Sequence, residues 1–181
     1  SKMQEVREME YAVRKRIAKH RSLRNVFDTS NRFEHSCFWI DKTYGVWCRI
    51  RPDILTPKNM VDVKFTGSTA TPEVWGTRHA FDMHYDVRAA FYERGMRQLE
   101  GDRKPYQFLV IEDSRPYELS FFEVQPSVID DAQRQIMLGM NLYSQCINSG
   151  IWPGYVDKIQ WLNPPTWKEF QDEALIARHT T

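Results

Sequence analysis

The stretch Arg51-Pro-Asp-Ile-Leu-Thr-Pro-Lys-Asn-Met-Val-Asp-Val-Lys64 decides how this chain folds and what one of its faces can do. Its second half opens the run Met60-Val-Asp-Val-Lys-Phe-Thr66, which is short, alternating and β-branched, and so reads as a strand. Asp62 and Lys64 lie two apart on it and share a face, which leaves Val61, Val63 and Phe65 for the core. If Asp53 ends a neighbouring strand, two carboxylates and a lysine converge, and the carboxylates repel unless a cation lies between them. Two carboxylates, a strand carbonyl such as that of Val63, and water make an oxygen-only donor set suited to Mg²⁺ or Mn²⁺ and not to zinc. Beside such an ion, Lys64 would position a water and stabilise charge developing on phosphorus, which is the chemistry of phosphodiester hydrolysis. A plainer reading stands next to this one: Pro-Asp is ordinary turn chemistry, and Asp-x-Lys on an exposed strand is often a solvated ion pair.

Working outward, residues 37–41 and 46–51 are two β-rich runs around a Gly-containing loop, a predicted hairpin that the strand at 60–66 should adjoin. Helical spacing of apolar residues predicts amphipathic helices over 5–27, 79–99 and 130–148, the last stopped at Asn-Ser-Gly. Residues 106–111 and 117–124 flank a turn-rich Glu-Asp-Ser-Arg-Pro and should extend the same sheet as a second hairpin. The tail carries Trp161, Pro164, Pro165 and Trp167 before a short polar helix from Lys168, and its aromatics are expected to pack. The order predicts an α/β (α+β) fold with a central mixed β-sheet flanked by helices, in one domain over 1–181.

The composition sets limits on function. The 181 residues hold 25 Lys plus Arg against 24 Asp plus Glu, a formal net charge of +1, so no global basic field draws in polyanions and any nucleic-acid binding must be local. The three cysteines, Cys37, Cys48 and Cys146, show no C-x-x-C spacing and suggest neither a disulfide framework nor a zinc site. No apolar run reaches the roughly 20 residues of a membrane span and the charged start lacks a signal-peptide core, so a cytoplasmic protein with no membrane partner is expected.

Asp53 with Asp62-Val-Lys64 resembles the PD-(D/E)xK nuclease signature, and the surrounding sequence is similar to one branch, the phage-type exonuclease VIII (RecE-like) family. The resemblance is carried by Glu34-x-Ser36, Phe38-Trp39-x-Asp41, Cys48-Arg-Ile-Arg51-Pro-Asp53, Asp62-Val-Lys64-x-Thr66, Tyr85 to Tyr92, and Trp152-Pro-Gly-Tyr155 with Pro165 and Trp167. It implies a restriction-endonuclease-like core in which Asp53, Asp62 and the Val63 carbonyl hold Mg²⁺ or Mn²⁺ and Lys64 is the catalytic lysine. It further implies that Tyr92 is a catalytic residue facing the site, its hydroxyl reaching a phosphate or the attacking water, and that Glu34 supports the metal or water. Arg88 stands where the family's helix carries glutamine, and its guanidinium could hold a phosphate by two hydrogen bonds. Arg49, Arg51 and Thr66 join it as candidate DNA or phosphate contacts, with Lys58 and Arg78 along the same expected track.

As function, the resemblance implies a metal-dependent exodeoxyribonuclease that degrades linear double-stranded DNA, 5′ to 3′, to leave single strands for recombination. Its implied partners are duplex DNA ends, a RecT-like single-strand annealing protein, and further copies of the chain in a ring-forming homo-oligomer. The family's helix upstream of the hairpin, bearing a metal-binding His or Glu, would precede residue 1. Two alternatives remain at this point: a PD-(D/E)xK endonuclease or Cas4-like nuclease, and a catalytically impaired DNA-binding or assembly module.

Overall fold

The run Met60–Thr66 is β5, and in the computed structural model, which describes residues 2–20 and 23–179, it lies at the centre of a five-stranded mixed sheet. The sheet order is β1 (Arg32–Phe33), β4 (Ile54–Leu55), β5, β6 (Tyr106–Glu112) and β7 (Leu119–Glu123). Among the described residues only β5 and β6 pair in parallel, over seven positions from Met60 opposite Tyr106 to Thr66 opposite Glu112; the other pairings are antiparallel. A parallel pair needs a long crossover. Here it consists of a π-helical segment (Pro72–His79), a single turn α2 (Ala80–Asp82) and the long helix α3 (Tyr85–Glu100).

The hairpin of β2 (Cys37–Ile40) and β3 (Trp47–Ile50) forms where the sequence predicts it, but as a separate two-stranded sheet and not beside β5. The strands that flank the site on that side are β4 and β1, two residues each, too short to show any periodicity in sequence. The hairpin instead covers α3 by its inward residues Trp39, Cys48 and Ile50.

Alternation along the central strands divides the core in two. Met60, Tyr106, Phe108 and Val110 face α3 and α4 (Pro126–Ser149), which starts with proline in its first turn, four residues before the predicted start. Val61, Leu109 and Ile111 face the opposite side, where Val13 and Ile17 of α1 (Lys2–Lys19) cover them. The predicted helix over 5–27 thus ends at Lys19; positions 21 and 22 lie outside the described residues, and the turn at 23–27 adds Leu23 and Val26 to this second core. Of the three residues assigned to the core on β5, Val61 is buried and Val63 half-buried, whereas Phe65 is 58% exposed because it borders an open groove with Val6 and Met9 of α1.

The chain divides into two units, Ser1–Gly150 and Ile151–Thr181. The first holds both sheets and α1 to α4; the second is an irregular stretch followed by α5 (Thr166–His179), in which the tail aromatics Tyr155, Trp161 and Trp167 are exposed. Among the described residues no helix is long and apolar enough to cross a membrane.

Candidate active site

The antiparallel register of β4 with β5 puts Ile54 opposite Val61, so the next pair outward is Asp53 opposite Asp62. Asp53 is fixed there by its own carboxylate, whose Oδ2 accepts the Val63 N–H at 2.7 Å. On the other side, β1 pairs Phe33 with Ile54, which places Glu34 opposite Asp53; the Glu34 N–H donates to the Asp53 carbonyl at 2.9 Å. Three acidic residues therefore occupy one row across adjacent strands. Glu34 leaves that row by its backbone, with φ at 49°, and its carboxylate is turned to the Arg51 Nε at 3.0 Å.

Asp62 is the buried member, its side chain 4% exposed and held between two cations. The Lys64 Nζ is in contact with Oδ2, and the Arg88 Nη1 lies 3.8 Å from Oδ1. Burial first, and then the Arg88 guanidinium, pull the Lys64 ammonium down to about 8 against the opposing charge of Asp53. The Tyr85 ring lies beside both cations, 5.3 Å from the Lys64 Nζ and 5.7 Å from the Arg88 Cζ. Tyr85, Arg88 and Tyr92 stand on one face of α3 at the three- and four-residue spacing of a helix, and that face meets the Asp62–Lys64 face of β5.

Tyr92 reaches the site in a different way from the one expected. Its hydroxyl accepts the Arg51 N–H at 3.4 Å and donates to the Arg51 carbonyl at 3.3 Å, so it holds the backbone two residues before Asp53. Tyr106 packs edge-on against Tyr92, with centroids 4.9 Å apart, and its buried hydroxyl lies close to the Arg88 guanidinium without a hydrogen bond of full geometry. Burial, aided by Tyr92 and opposed by Arg88, pushes the Tyr106 hydroxyl well above the ordinary phenol range, so it stays protonated. Behind it the buried Glu93 accepts the Tyr106 N–H at 3.1 Å and pairs with Arg103 at 2.7 Å, tying α3 to the start of β6.

The expected phosphate contacts divide. Arg51 and Arg88 border the acidic row, whereas Arg49 is on the hairpin over Phe38, 5.8 Å from that ring. Thr66 is two positions beyond Lys64, its Oγ1 accepting the Ser68 N–H at 3.2 Å, and it lines a small, mostly apolar pocket with Trp75, Arg78 and His79. Lys58 is in the turn that precedes β5, at the opposite end of the strand from the acidic row, apart from the other candidates. Tyr85, Tyr106 and Glu93 were not singled out from sequence; for Tyr85 the available signal was its place three residues before Arg88 on the same helical face.

No set of three or more His, Cys, Asp or Glu side chains that could hold a metal occurs among the described residues. The donors present are oxygens of Asp53 and Asp62, and a pair of carboxylates that needs two cations to balance it suits a hard, largely hydrated divalent ion. Asp53 through its Oδ1, Asp62, and the carbonyl of Val63, the residue that follows it, are the groups that could hold one.

A mixed sheet with a parallel central pair, a crossover helix over its face, and an acid pair beside a lysine at that crossing define a PD-(D/E)xK-type core. Residues 2–165 match the family described as a PDDEXK-like domain of unknown function (DUF3799), and the chain belongs to that family. Among solved structures, a protein from Eubacterium rectale described as a "putative exonuclease" is similar with a TM-score of 0.62 and 15% identity. The match covers 91% of this chain and 64% of that one, so this chain spans less than two thirds of that protein's length. No curated protein matches.

Proposed function

We propose that this chain is a divalent-metal-dependent deoxyribonuclease that degrades linear duplex DNA from an end. The observation that carries the reading is the register that sets Asp53 against Asp62 with Lys64 on the same face. The description of the Eubacterium rectale protein favours an exonuclease over an endonuclease. Digestion from 5′ to 3′ to leave single strands for recombination, an annealing-protein partner and a ring of several copies extend the proposal on the sequence resemblance, as does a cytoplasmic, phage or bacterial setting.

A bound Mg²⁺ or Mn²⁺ would supply Lewis-acid charge and a water of lowered pKa. Asp53 and Asp62 would hold that ion, with the Val63 N–H fixing the orientation of Asp53. Lys64 would stabilise charge on the phosphoryl oxygens and orient the attacking water. Tyr92 would keep the Arg51–Asp53 backbone in place, and Arg88 and Arg51 would bind phosphate oxygens.

The test uses end-labelled linear duplex and a closed circle of the same sequence, with and without Mg²⁺. Loss of label from the linear DNA alone, stopped by EDTA and by Lys64→Ala or Asp62→Asn in folded protein, is the expected result. Cutting of the circle would make it an endonuclease. Retention of DNA without cleavage at any Mg²⁺ concentration would make it a binding module.

A further inference from the structure

The acid pair already has its charge balanced: Asp53 and Asp62 face one ammonium and one guanidinium, and the set is formally neutral without any metal. A divalent ion placed among these groups as they stand would put four positive charges against two negative ones in a site whose central carboxylate is 4% exposed. One side chain has to leave. Lys64 is on the same strand as Asp62, 17% exposed and in contact with Oδ2, so it has little room to withdraw. Arg88 is the looser partner: it is 45% exposed, comes from a different element on a longer side chain, and stands 3.8 Å from Oδ1, beyond hydrogen-bond distance.

We infer that Arg88 is a built-in counter-cation that occupies the metal's electrostatic place on Asp62 and is exchanged onto a substrate phosphate when the ion enters. This rests on the proposed function and adds to it a control by this chain's own residue: without metal the guanidinium neutralises Asp62, and with metal it is released to the phosphate. The Tyr85 ring makes the exchange feasible. Its face is 5.7 Å from the Arg88 Cζ and holds the planar guanidinium near the site as it moves from one anion to the other. An uncharged side chain at position 88 would leave the acid pair undercompensated and open to metal at all times.

The experiment is a calorimetric titration of metal-free protein with Mn²⁺, comparing wild type, Arg88→Gln and Arg88→Lys, with circular dichroism melting to show that each is folded. Arg88→Gln is expected to bind Mn²⁺ about tenfold more tightly or better, since one opposing charge is removed from the site, while Arg88→Lys stays near wild type. Adding Asp62→Asn to Arg88→Gln should cancel the gain. In the second measurement, retention of a short duplex in the presence of metal should weaken in Arg88→Gln although its metal is held more tightly. Equal or weaker Mn²⁺ binding by Arg88→Gln, with measurable binding by wild type, overturns this inference and leaves the metal site standing. Absence of Mn²⁺ binding in all three proteins overturns the metal-dependent function itself, and this inference with it.

Discussion

At the level of single residues, Tyr92 serves the site without entering it, and Asp41 is a buried charge held in place by its partners. Both Tyr92 hydrogen bonds run to the backbone of Arg51, at 3.3 and 3.4 Å, and so act on Asp53 only through the path of the chain. Tyr92→Phe should therefore cost about 1 kcal/mol of stability. On the proposed function it should also weaken Mg²⁺ half-saturation more than it lowers the rate at saturating metal; denaturant melts and a Mg²⁺ titration of activity check this. A Tyr92 that touched the reacting phosphate would instead lower the saturated rate. Asp41 is fully buried and accepts hydrogen bonds from Arg94 at 2.7 and 3.1 Å and from Gln98 at 2.7 Å. Burial alone would raise its pKa, but the hydrogen bonds from Arg94 and Gln98 outweigh it and hold the carboxyl below its usual 3.8. Its stabilisation is therefore complete above 3.8 and lost as the pH falls through the lower folded value. Asp41→Asn leaves Arg94 without its counter-charge and should cost about 3–5 kcal/mol at pH 7. The gap between wild type and variant should narrow below about pH 4, as followed by urea unfolding at each pH.

At the level of elements, the packing of the hairpin on α3 gives the sharpest prediction. A Cβ on Gly95 would lie 2.7 Å from the Trp39 Cη2 and 3.2 Å from the Ile50 Cδ1. In an exposed helix Gly→Ala gains about 1 kcal/mol. Here the methyl meets a ring that is 6% exposed and locked between β3 and α3, so overpacking of about 1–3 kcal/mol wins and Gly95→Ala should lower the melting temperature. Unchanged or raised stability would mean that the hairpin slides freely over the helix. The same elements show what the sequence could and could not tell. Local pattern identifies β2, β3, β5, β6 and β7 as strands, by β-rich runs between turn residues and, in β5, by alternation, all of it written in the residues themselves. It gives the hairpin partners β2–β3 and β6–β7 but not the neighbour of β5 on the Asp53 side, because β4 and β1 are two residues long and the first hairpin, expected beside β5, forms its own sheet. Asp53 and Asp62-x-Lys64 were legible because a tight turn and a spacing of two fix their common face. The contacts of Arg88 with Asp62, of Asp41 with Arg94 and of Glu93 with Arg103 were not, since each joins different elements and no local pattern encodes such a pairing.

At the level of the molecule, a formal charge of +1 and a site neutralised from within confine attraction for DNA to a few side chains. Among the described residues the cations that stand at or beside the acidic row are Lys64, Arg51 and Arg88, with Arg49 on the adjacent hairpin. Others are spent elsewhere: Arg94 and Arg103 are locked to buried carboxylates, and Arg16 and Arg115 pair with Glu118 and Glu8 on the far side of the sheet, around α1. A protein releases counterions in proportion to the phosphates it neutralises, with a slope of about −0.9 per phosphate on a plot of log affinity against log salt. Three or four contacts therefore predict a slope of about −3 to −4 for duplex binding by the metal-loaded protein, measured by fluorescence anisotropy between about 50 and 200 mM KCl. Arg88→Gln should reduce the slope by about one, since it deletes one phosphate partner, while Lys58→Gln, at the far end of β5, should leave it unchanged. A slope of −8 or steeper, about what nine phosphates would give, would show that a long basic track and not this one groove holds the DNA.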